Sequence, residues 1–266
     1  MSQLKGKVAL VTGASRGIGK AIAIGLAREG AHVAAVARAS DAKPLKLPGT
    51  VDETARAAKS SGVKTLAVSA DLTNDGDVER AVKETLDAFG RIDILINNAA
   101  IDFPAPLLEL PMNRYDLIMA LDLRAPYLLA RLVLPSMLKN GWGHIQNVSS
   151  KAATNQYSGQ LPYGMAKAAL ERMTMGMAVE LKDKPITNTC LRVDVPIASE
   201  GFVMNFKSKI PKFDTSTWEK TVVGAEASLW LLRQAHAQWN GKTIGISEMR
   251  EQYGYPRFQK WEEGEE

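Results

Sequence analysis

Short apolar segments alternate along the chain with longer amphipathic ones, and this alternation restricts the fold more than any other feature. Segments typical of β-strands lie at residues 7–12, 32–37, 64–70, 92–97, 143–149, 186–193 and 242–247. Segments typical of α-helices lie at residues 19–30, 50–62, 75–90, 113–139, 160–182 and 219–236. Strands that alternate with helices of this length form βαβ units, whose right-handed crossovers make the strands parallel and place helices on both faces of the sheet.

The pattern therefore predicts an α/β protein with a single Rossmann-like, doubly wound domain over residues 1–266. The early strands are almost continuously apolar, as expected of strands buried on both faces. Within the helix predicted at 113–139, Pro126 predicts a bend. At the start of the 50–62 helix, Thr50 and Glu53 have the spacing of a capping box. Residues 199–217 are predicted to be irregular.

Charge and hydropathy exclude several classes of protein. The net charge is +4, and no block of like charges is long enough to predict a nucleic-acid partner. No apolar run has the length of a membrane span, and no His, Cys, Asp or Glu residues have metal-ligand spacing. The start lacks the layout of a signal peptide, and the single cysteine, Cys190, fits a reducing compartment. We therefore expect a cytoplasmic protein without membrane, nucleic-acid or metal partners.

The sequence TGASRGIG at 12–19 joins the first strand to the first helix and is typical of a dinucleotide-binding turn. Gly13, Gly17 and Gly19 leave room for a tight turn and for the close approach of a pyrophosphate to the backbone. The helix that follows offers unpaired N–H groups and the positive end of its dipole to the phosphates. A tight β–α turn without a ligand is the alternative.

The end of the second strand decides between the two nicotinamide dinucleotides. An acidic residue there would bind the adenosine ribose hydroxyls, whereas a basic residue favours the 2′-phosphate of NADP. Here the strand ends at Ala37-Arg38, and Arg16 in the glycine-rich turn adds a second guanidinium, a group that binds two phosphate oxygens at once. We therefore expect NADP(H) as the cofactor. The alternative is that both arginines are solvated surface groups.

Tyr163 and Lys167, in the segment LPYGMAKAAL, lie four residues apart and hence on one face of the predicted helix. A tyrosine with a pKa of about 10 is a weak base at neutral pH, and a neighbouring positive charge favours its phenolate form. On spacing alone the pair is a common coincidence. Its interpretation depends on motifs elsewhere in the chain.

Five motifs in order resemble those of the short-chain dehydrogenase/reductase family: TGASRGIG at 12–19, DL at 71–72, NNAA at 97–100, NVSS at 147–150 and YGMAK at 163–167. The resemblance extends from Lys5 to about Ser247. It implies a single Rossmann-like domain with a seven-stranded parallel sheet. It also implies an NADP-preferring enzyme that reduces carbonyl or 3-oxoacyl groups, or that oxidises the corresponding secondary alcohols.

By this resemblance, Ser150, Tyr163 and Lys167 are catalytic residues, with Tyr163 as acid or base and Ser150 as a donor to the substrate oxygen. Ser150 is preferred to Ser149 because it precedes Tyr163 by thirteen residues, the interval expected in the family. Asp71 corresponds to the residue that binds the adenine amino group, and Asn97 to an asparagine that steadies the sheet. The residues expected to bind the cofactor are Gly13, Ser15, Arg16, Gly17, Ile18, Gly19, Arg38, Asp71, Leu72, Asn98, Ala99, Tyr163, Lys167 and Val195.

The chain departs from the family pattern at three places. Ala100 stands where the family usually has glycine. Asp122 stands where the family usually has a catalytic asparagine, so we count it with the catalytic residues, and its carboxylate could pair with Lys167 and compete with the cofactor ribose. Val193-Asp194 replaces the usual Pro-Gly after the sixth strand, and Ser199 is then the candidate hydroxyl for the nicotinamide carboxamide.

Residues 199–217 are expected to form a lid over the substrate. The segment combines an apolar set with a basic set, namely Phe202, Met204, Phe206 and Phe213 with Lys207, Lys209 and Lys212. A basic edge would favour an acidic or carrier-bound thioester substrate such as a 3-oxoacyl group. An ordinary amphipathic lid is the alternative, and hydroxysteroids and other carbonyl compounds remain open as substrates.

Two other classes of function fit parts of the pattern. Asp122 and the missing Pro-Gly would suit an NADP-binding regulatory protein with weak or no catalysis, whereas the Ser–Tyr–Lys set disfavours it. A sugar-nucleotide epimerase or dehydratase would need a larger C-terminal domain.

The family implies a homodimer or homotetramer built on the 113–139 and 160–182 helices. Core burial explains the apolar stripe of Met173, Met177 and Leu181 about as well as an interface does.

Overall fold

The computed structural model describes residues 3–207, 215–234 and 236–255, and these residues form a seven-stranded sheet between helices. The strands are β1 (Val8–Thr12), β2 (His32–Ala37), β3 (Thr65–Ser69), β4 (Ile94–Asn97), β5 (Gly143–Ser150), β6 (Ile186–Val193) and β7 (Thr243–Gly245). Their order across the sheet is β3-β2-β1-β4-β5-β6-β7, and every neighbouring pair is parallel. The predicted α/β, doubly wound fold class is confirmed.

The connections between the strands are largely helical. The helices are α1 (Gly17–Arg28), α2 (Val51–Lys59), α3 (Asp75–Phe89), α4 (Met112–Met119), α5 (Ala125–Lys139), α6 (Leu161–Glu180), α7 (Glu200–Lys207), α8 (Thr221–Leu232), α9 (His236–Trp239) and α10 (Ile246–Tyr253). A π turn, Ala120–Arg124, separates α4 from α5, and a 3-10 turn, Lys151–Ala153, follows β5. The capping box predicted at the start of α2 is present, since the Glu53 N–H donates to the Thr50 hydroxyl at 3.1 Å.

Two helical layers cover the apolar side chains of the sheet. On one face, Ile22 of α1 and Leu229 of α8 belong to a buried cluster that includes residues of β1, β2 and β4. On the other face, α3 and α5 build a second cluster that includes Leu129. The stripe of Met173, Met177 and Leu181 is partly buried and packs against this second cluster. Over residues 3–207, 215–234 and 236–255, no helix has the length and hydropathy that a bilayer span requires.

The order of the strands reverses between β1 and β4. From β1 the chain builds β2 and β3 on one side, and it then crosses to build β4 to β7 on the other. Open α/β sheets bind their ligands at such a switch point, in the crevice beyond the carboxyl ends of the strands. The connections that leave β1, β4 and β5 all start at this edge, so the motifs they carry meet there.

The structure differs from the predicted elements in three places. Helical backbone runs from α4 through the π turn at 120–124 into α5, so the helical region predicted at 113–139 is continuous, and its irregularity is a π turn just before Pro126. Residues 200–207, predicted to be irregular, form α7. The last strand ends at Gly245, because α10 begins immediately afterwards and the Ser247 N–H donates to Asp194 Oδ1 at 3.0 Å.

Candidate active site and cofactor cleft

The glycine-rich turn between β1 and α1 forms a cradle for an anion. Gly13 has φ +65°, and a Cβ there would lie 2.8 Å from the Cα of Ala99, so only glycine allows this approach. A Cβ on Gly19 would overlap the Gly13 carbonyl oxygen. Helix α1 begins at Gly17 without a side-chain cap and without an acidic residue in its first turn. Uncapped N–H groups at a helix start suit a phosphate, so the cradle fits the diphosphate of a dinucleotide.

Hydrogen bonds from the end of β4 hold the glycine-rich turn in place. Thr12 Oγ1 accepts from the N–H groups of Asn98 and Ala99, at 3.0 Å and 3.1 Å. The Asn98 side-chain amide donates to the Thr12 carbonyl at 2.9 Å. Asn97 donates to Asn147 on β5 at 2.8 Å, which ties β4 to its neighbour. Asn98 and Ala99 therefore shape the predicted cofactor cleft by fixing the turn that lines it.

Arg16 and Arg38 lie next to this turn. Arg16 is half-buried, and its Nη2 donates to the carbonyls of Leu47 and Gly49, at 3.0 Å each. Burial lowers the pKa of Arg16, the charge of Glu200 opposes this, and the charge of Arg38 lowers it further. Two guanidinium groups thus stand near each other at the end of β2. This is where the sequence predicted a 2′-phosphate site.

The remaining predicted cofactor residues are fixed by packing or by local hydrogen bonds. Asp71 Oδ1 accepts from the N–H and the hydroxyl of Thr73, at 3.1 Å and 2.8 Å, which orients the carboxylate just after β3. Ser15 and Leu72 are buried. Ile18 and Val195 are partly buried and pack against the apolar cluster around β7 and α8.

Ser150, Tyr163 and Lys167 meet beyond the carboxyl end of β5. Ser150 is the last residue of that strand, and the other two lie in the first two turns of α6. Lys167 Nζ lies 5.3 Å from the centre of the Tyr163 ring and donates to the Val148 carbonyl at 3.1 Å. The Ser150 hydroxyl lies close enough to lower the pKa of Tyr163 by hydrogen bonding. The structure thus brings together three residues that the motifs placed apart in the sequence.

Ser149 lies in a different environment from Ser150. Its hydroxyl donates to Glu171 at 2.8 Å, and Arg192 donates to the same carboxylate from Nε at 2.9 Å and from Nη2 at 2.6 Å. This cluster joins β5, α6 and β6 behind Lys167. Sequence reasoning missed Glu171 and Arg192, because neither belongs to a local motif, and it assigned no role to Thr12, the first residue of TGASRGIG.

Asp122 reaches the same site from the π turn between α4 and α5. The residue is fully buried, and its Oδ1 accepts the Ile101 N–H at 2.9 Å. Its Oδ2 lies 3.5 Å from Lys167 Nζ. The ion pair foreseen for these two residues is therefore present.

The charges of this cluster act on one another. Burial raises the pKa of Asp122 to about 6, and Lys167 offsets this only in part. Burial lowers the pKa of Lys167, whereas Tyr163, when it is ionised, and Asp122 raise it, with a net upward shift. Burial raises the pKa of Tyr163, Lys167 lowers it and Asp122 raises it again, with a net upward shift. Tyr163 is thus a neutral phenol that can donate a proton.

The segment after β6 is held by contacts with the C-terminal part of the chain. Besides the bond from Ser247 to Asp194, the Ala198 N–H donates to the Glu219 carbonyl at 2.8 Å. Ser199 Cβ lies 3.3 Å from where a Cβ on Gly17 would be, so Ser199 borders the anion cradle. Asp194, one of the two residues that replace Pro-Gly, therefore anchors the start of α10.

The segment expected to be a lid is described in part. Phe202 of α7 packs against Trp218 with ring centres 5.1 Å apart, and Met204 is partly exposed. The rest of the predicted apolar and basic set lies outside the described residues or side chains, namely Phe206, Lys207, Lys209, Lys212 and Phe213. The expected basic edge therefore stays a prediction.

The chain belongs to the short-chain dehydrogenase/reductase family, a family of oxidoreductases that use nicotinamide cofactors. The family profile, described as short chain dehydrogenase, matches residues 7–198. Hydroxysteroid dehydrogenase-like protein 2 of Xenopus tropicalis is 37% identical over 188 residues, which cover 70% of this chain and 45% of that protein. The chain thus spans about half the length of the first curated relatives that it matches.

Solved structures of the same fold hold different nicotinamide dinucleotides. L-Sorbose reductase from Gluconobacter frateurii, complexed with NADPH and L-sorbose, matches with a TM-score of 0.82 and 27% identity over 92% of this chain and 97% of that one. The 3-ketoacyl-(acyl-carrier-protein) reductase from Brucella melitensis, complexed with NADH, matches with a TM-score of 0.79 and 29% identity over 92% of this chain and 98% of that one. Membership of the family therefore does not choose between NAD and NADP.

Proposed function

We propose that the protein is an NADP(H)-dependent oxidoreductase that interconverts a carbonyl group and a secondary alcohol, with Tyr163 as its acid and base. The observation that supports this most strongly is the meeting of Ser150, Tyr163 and Lys167 at the carboxyl end of β5, next to the anion cradle of the glycine-rich turn. NADPH, when bound, supplies the hydride that the carbonyl carbon accepts.

The roles proposed for the three residues follow from their surroundings. In reduction, the neutral Tyr163 phenol donates its proton to the carbonyl oxygen, and in oxidation its phenolate accepts a proton from the alcohol. The Ser150 hydroxyl donates to the substrate oxygen and stabilises the negative charge that develops there. Lys167 retains its charge in the buried site, so it stabilises the phenolate, and it would also hold the nicotinamide ribose hydroxyls.

The preference for NADP is proposed from the charges around the adenosine end of the cleft. Arg16 and Arg38 would bind the 2′-phosphate, which a carboxylate at the end of β2 would repel. The N–H groups at the start of α1 would hold the diphosphate. Asp71 would accept from the adenine amino group, and Ser199, which borders the cradle, would donate to the nicotinamide carboxamide.

The rim of the crevice supports a substrate with an apolar part. Leu107 and Leu108, which follow β4, are 74% and 96% exposed, and Phe202 and Met204 of α7 are each 39% exposed. Such a rim favours ketones with a hydrocarbon body, a class that includes steroids and 3-oxoacyl thioesters. L-Sorbose, which the Gluconobacter frateurii enzyme holds, represents the opposite, hydroxyl-rich class.

A substrate panel tests the proposed function. NADPH oxidation is followed with a steroid ketone, a 3-oxoacyl thioester, a simple aliphatic ketone and a keto sugar, and each rate is compared with that of NADH. We expect turnover with at least one apolar ketone and a higher kcat/KM with NADPH. Tight NADPH binding without turnover on the whole panel would instead indicate a cofactor-binding regulatory protein.

The assembly is proposed to be a homodimer or homotetramer built on α5 and α6. Each helix exposes large apolar side chains, including Tyr127 on α5 and Val179 on α6, which are 62% and 76% exposed. Exposed apolar side chains on long helices favour an interface between copies. Light scattering on the purified protein measures the assembly directly, and a monomer at micromolar concentration would refute it.

A further inference from the structure

A buried carboxylate stands against the lysine of the proposed catalytic set. Asp122 is 0% exposed and Lys167 is 2% exposed, so water screens neither charge. Asp122 Oδ1 is occupied by the Ile101 N–H. Asp122 Oδ2 accepts no hydrogen bond from any residue that the structure describes, and the Lys167 ammonium lies 3.5 Å away. The two side chains are therefore coupled mainly by charge.

The donors of Lys167 are divided among competing partners. A lysine ammonium has three N–H donors. One of those of Lys167 goes to the Val148 carbonyl at 3.1 Å, and the ammonium also faces Asp122 and the Tyr163 ring. The positive charge that would stabilise a Tyr163 phenolate is thus shared with a fixed negative charge nearby.

We propose that Asp122 is a positioning residue that acts on Tyr163 through Lys167: its carboxylate holds and neutralises the ammonium, so Tyr163 releases its proton only at a higher pH. An asparagine at this position would keep an acceptor for the Ile101 N–H and would leave the charge of Lys167 unopposed. This inference rests on the proposed function for its consequence in catalysis. The ionisation of Tyr163 that it describes is a property of the chain without cofactor.

No other described group around Tyr163 opposes the charge of Lys167 as directly as the Asp122 carboxylate does. From the loop after β4, the charge of Asp102 raises the pKa values of both Tyr163 and Asp122. From β6, Cys190 faces Lys167, but burial raises the pKa of its thiol to about 12, so it stays neutral. The Ser150 hydroxyl does not titrate. Among the groups described around Tyr163, Asp122 is the negative charge that lies directly against Lys167.

The carboxyl group of Asp122 also changes state within the working range of pH. Burial raises its pKa to about 6, so below that pH it becomes a neutral acid that resembles an asparagine side chain in shape. The charge of Lys167 then acts on Tyr163 without opposition. The wild type should therefore change from an asparagine-like state to an ion-paired state as the pH rises through about 6.

The test measures the ionisation of Tyr163 in the protein without cofactor. Ultraviolet difference absorbance between each protein and its matched Tyr163→Phe variant isolates the phenolate of this residue from the other tyrosines. In Asp122→Asn we expect Tyr163 to titrate about one pH unit lower than in the wild type, the size expected for one charge at short range in a partly screened interior. Asp122→Glu, which restores a negative charge, should return the titration toward the wild-type pH.

Asp116→Asn is the matched control, because it removes the same charge from an exposed position on α4. It should leave the titration of Tyr163 unchanged. Equal curves for Asp122→Asn and the wild type, or equal shifts in Asp122→Asn and Asp116→Asn, would overturn the proposal. Circular dichroism establishes folding, and if Asp122→Asn does not fold, Asp122→Ser supplies the neutral side chain for the same comparison.

The catalytic consequence is measured separately. In alcohol oxidation, the acidic limb of the kcat/KM profile of Asp122→Asn should move to lower pH by the same amount as the titration. A purely structural role for Asp122 would lower kcat without moving that limb. If the wild type oxidises and reduces nothing, the proposed function fails, while the titration without cofactor still decides whether Asp122 controls Tyr163.

Discussion

Each end of the parallel sheet holds a buried aspartate, and the two aspartates differ in their hydrogen-bond partners. At the amino ends of the strands, Asp93 is 0% exposed, accepts the Val8 N–H at 2.9 Å and accepts from Arg91 Nε on both of its oxygens, at 3.0 Å and 2.9 Å. At the carboxyl ends, Asp122 is equally buried, yet its Oδ2 accepts no hydrogen bond from a described residue and only faces Lys167. Both oxygens of Asp93 therefore accept hydrogen bonds from the protein, whereas Asp122 Oδ2 accepts none from a described residue.

This difference indicates that the buried polar groups at the amino ends of the strands contribute to stability, and that those at the carboxyl ends are available to a ligand. Arg16 Nε and Asn97 Oδ1, which also lie at the carboxyl ends, likewise have no partner among the described residues. A buried polar group without a partner costs free energy, and in a ligand cleft the ligand can supply the missing partner. Substitutions at the amino ends should therefore mainly affect folding, and those at the carboxyl ends should mainly affect catalysis.

The largest effect is expected at Tyr163. The Tyr163→Phe variant should lose about 10³-fold or more in kcat, because the proton donor to the substrate oxygen is gone. Its affinity for NADPH and its melting temperature should stay close to those of the wild type. Steady-state kinetics, fluorescence binding and thermal unfolding measure the three quantities, with Tyr127→Phe on the exposed face of α5 as the control. Turnover near the wild-type rate in Tyr163→Phe would refute the proposed role.

A substitution at the amino ends of the strands should lower the stability of the protein and leave its kcat unchanged. Asp93→Ala removes the acceptor of the Val8 N–H and the partner of Arg91, so the free energy of unfolding should fall by about 3 kcal/mol. The kcat of the molecules that remain folded should not change. Denaturant unfolding and active-site titration measure both. If the variant keeps its stability but loses activity, the contrast between the two ends is wrong.

The pH dependence of stability sharpens the comparison at Asp122. The pKa of this carboxyl is raised in the folded state, so its contribution to stability is fully present below about pH 4 and is lost as the pH rises through about 6. Relative to Asp122→Asn, the wild type should lose on the order of 2–3 kcal/mol over that range. Urea unfolding at a series of pH values measures this difference, and Asp116→Asn should run parallel to the wild type. A constant difference between wild type and Asp122→Asn would contradict the prediction.

The smallest expected effect concerns the cofactor. Arg38→Asp should lower the ratio of kcat/KM for NADPH over NADH by about tenfold or more, since it replaces a phosphate partner with a repelling charge. Lys59→Asp, an equal change of charge at the exposed end of α2, should leave the ratio unchanged. A wild type that prefers NADH, or a ratio that Arg38→Asp does not move, would refute the NADP site proposed for Arg16 and Arg38.

The parts of the structure that follow local rules could be predicted from the sequence. The strands and most helices agree with the apolar periodicity, and the capping box of Thr50 and Glu53 forms as its spacing indicates. The π turn that contains Asp122 was not predicted, since the sequence indicated only a bend at Pro126. The early end of β7 also depends on a distant residue, since Asp194 supplies an acceptor to the first turn of α10.

The same division holds for the site. The glycine-rich turn and the Tyr163–Lys167 pair are local motifs, so they could be recognised before any fold was known. The hydrogen bonds of Glu171, Arg192 and Thr12 could not, because they join elements that are remote in the sequence. The roles of the recognised residues still rest on the proposed function.

By itself, the sequence determined the parallel α/β architecture, the place of the anion cradle and the helical face that carries Tyr163, since each follows from periodicity or from short-range spacing. The tertiary structure alone decided which charges stand together in the interior. It places Asp122 Oδ2 3.5 Å from Lys167 Nζ, and it brings the Val8 N–H and the Arg91 guanidinium to the carboxylate of Asp93. The physical reason is that electrostatic interactions depend on distance and burial, and both are decided by the packing of segments that lie far apart along the chain.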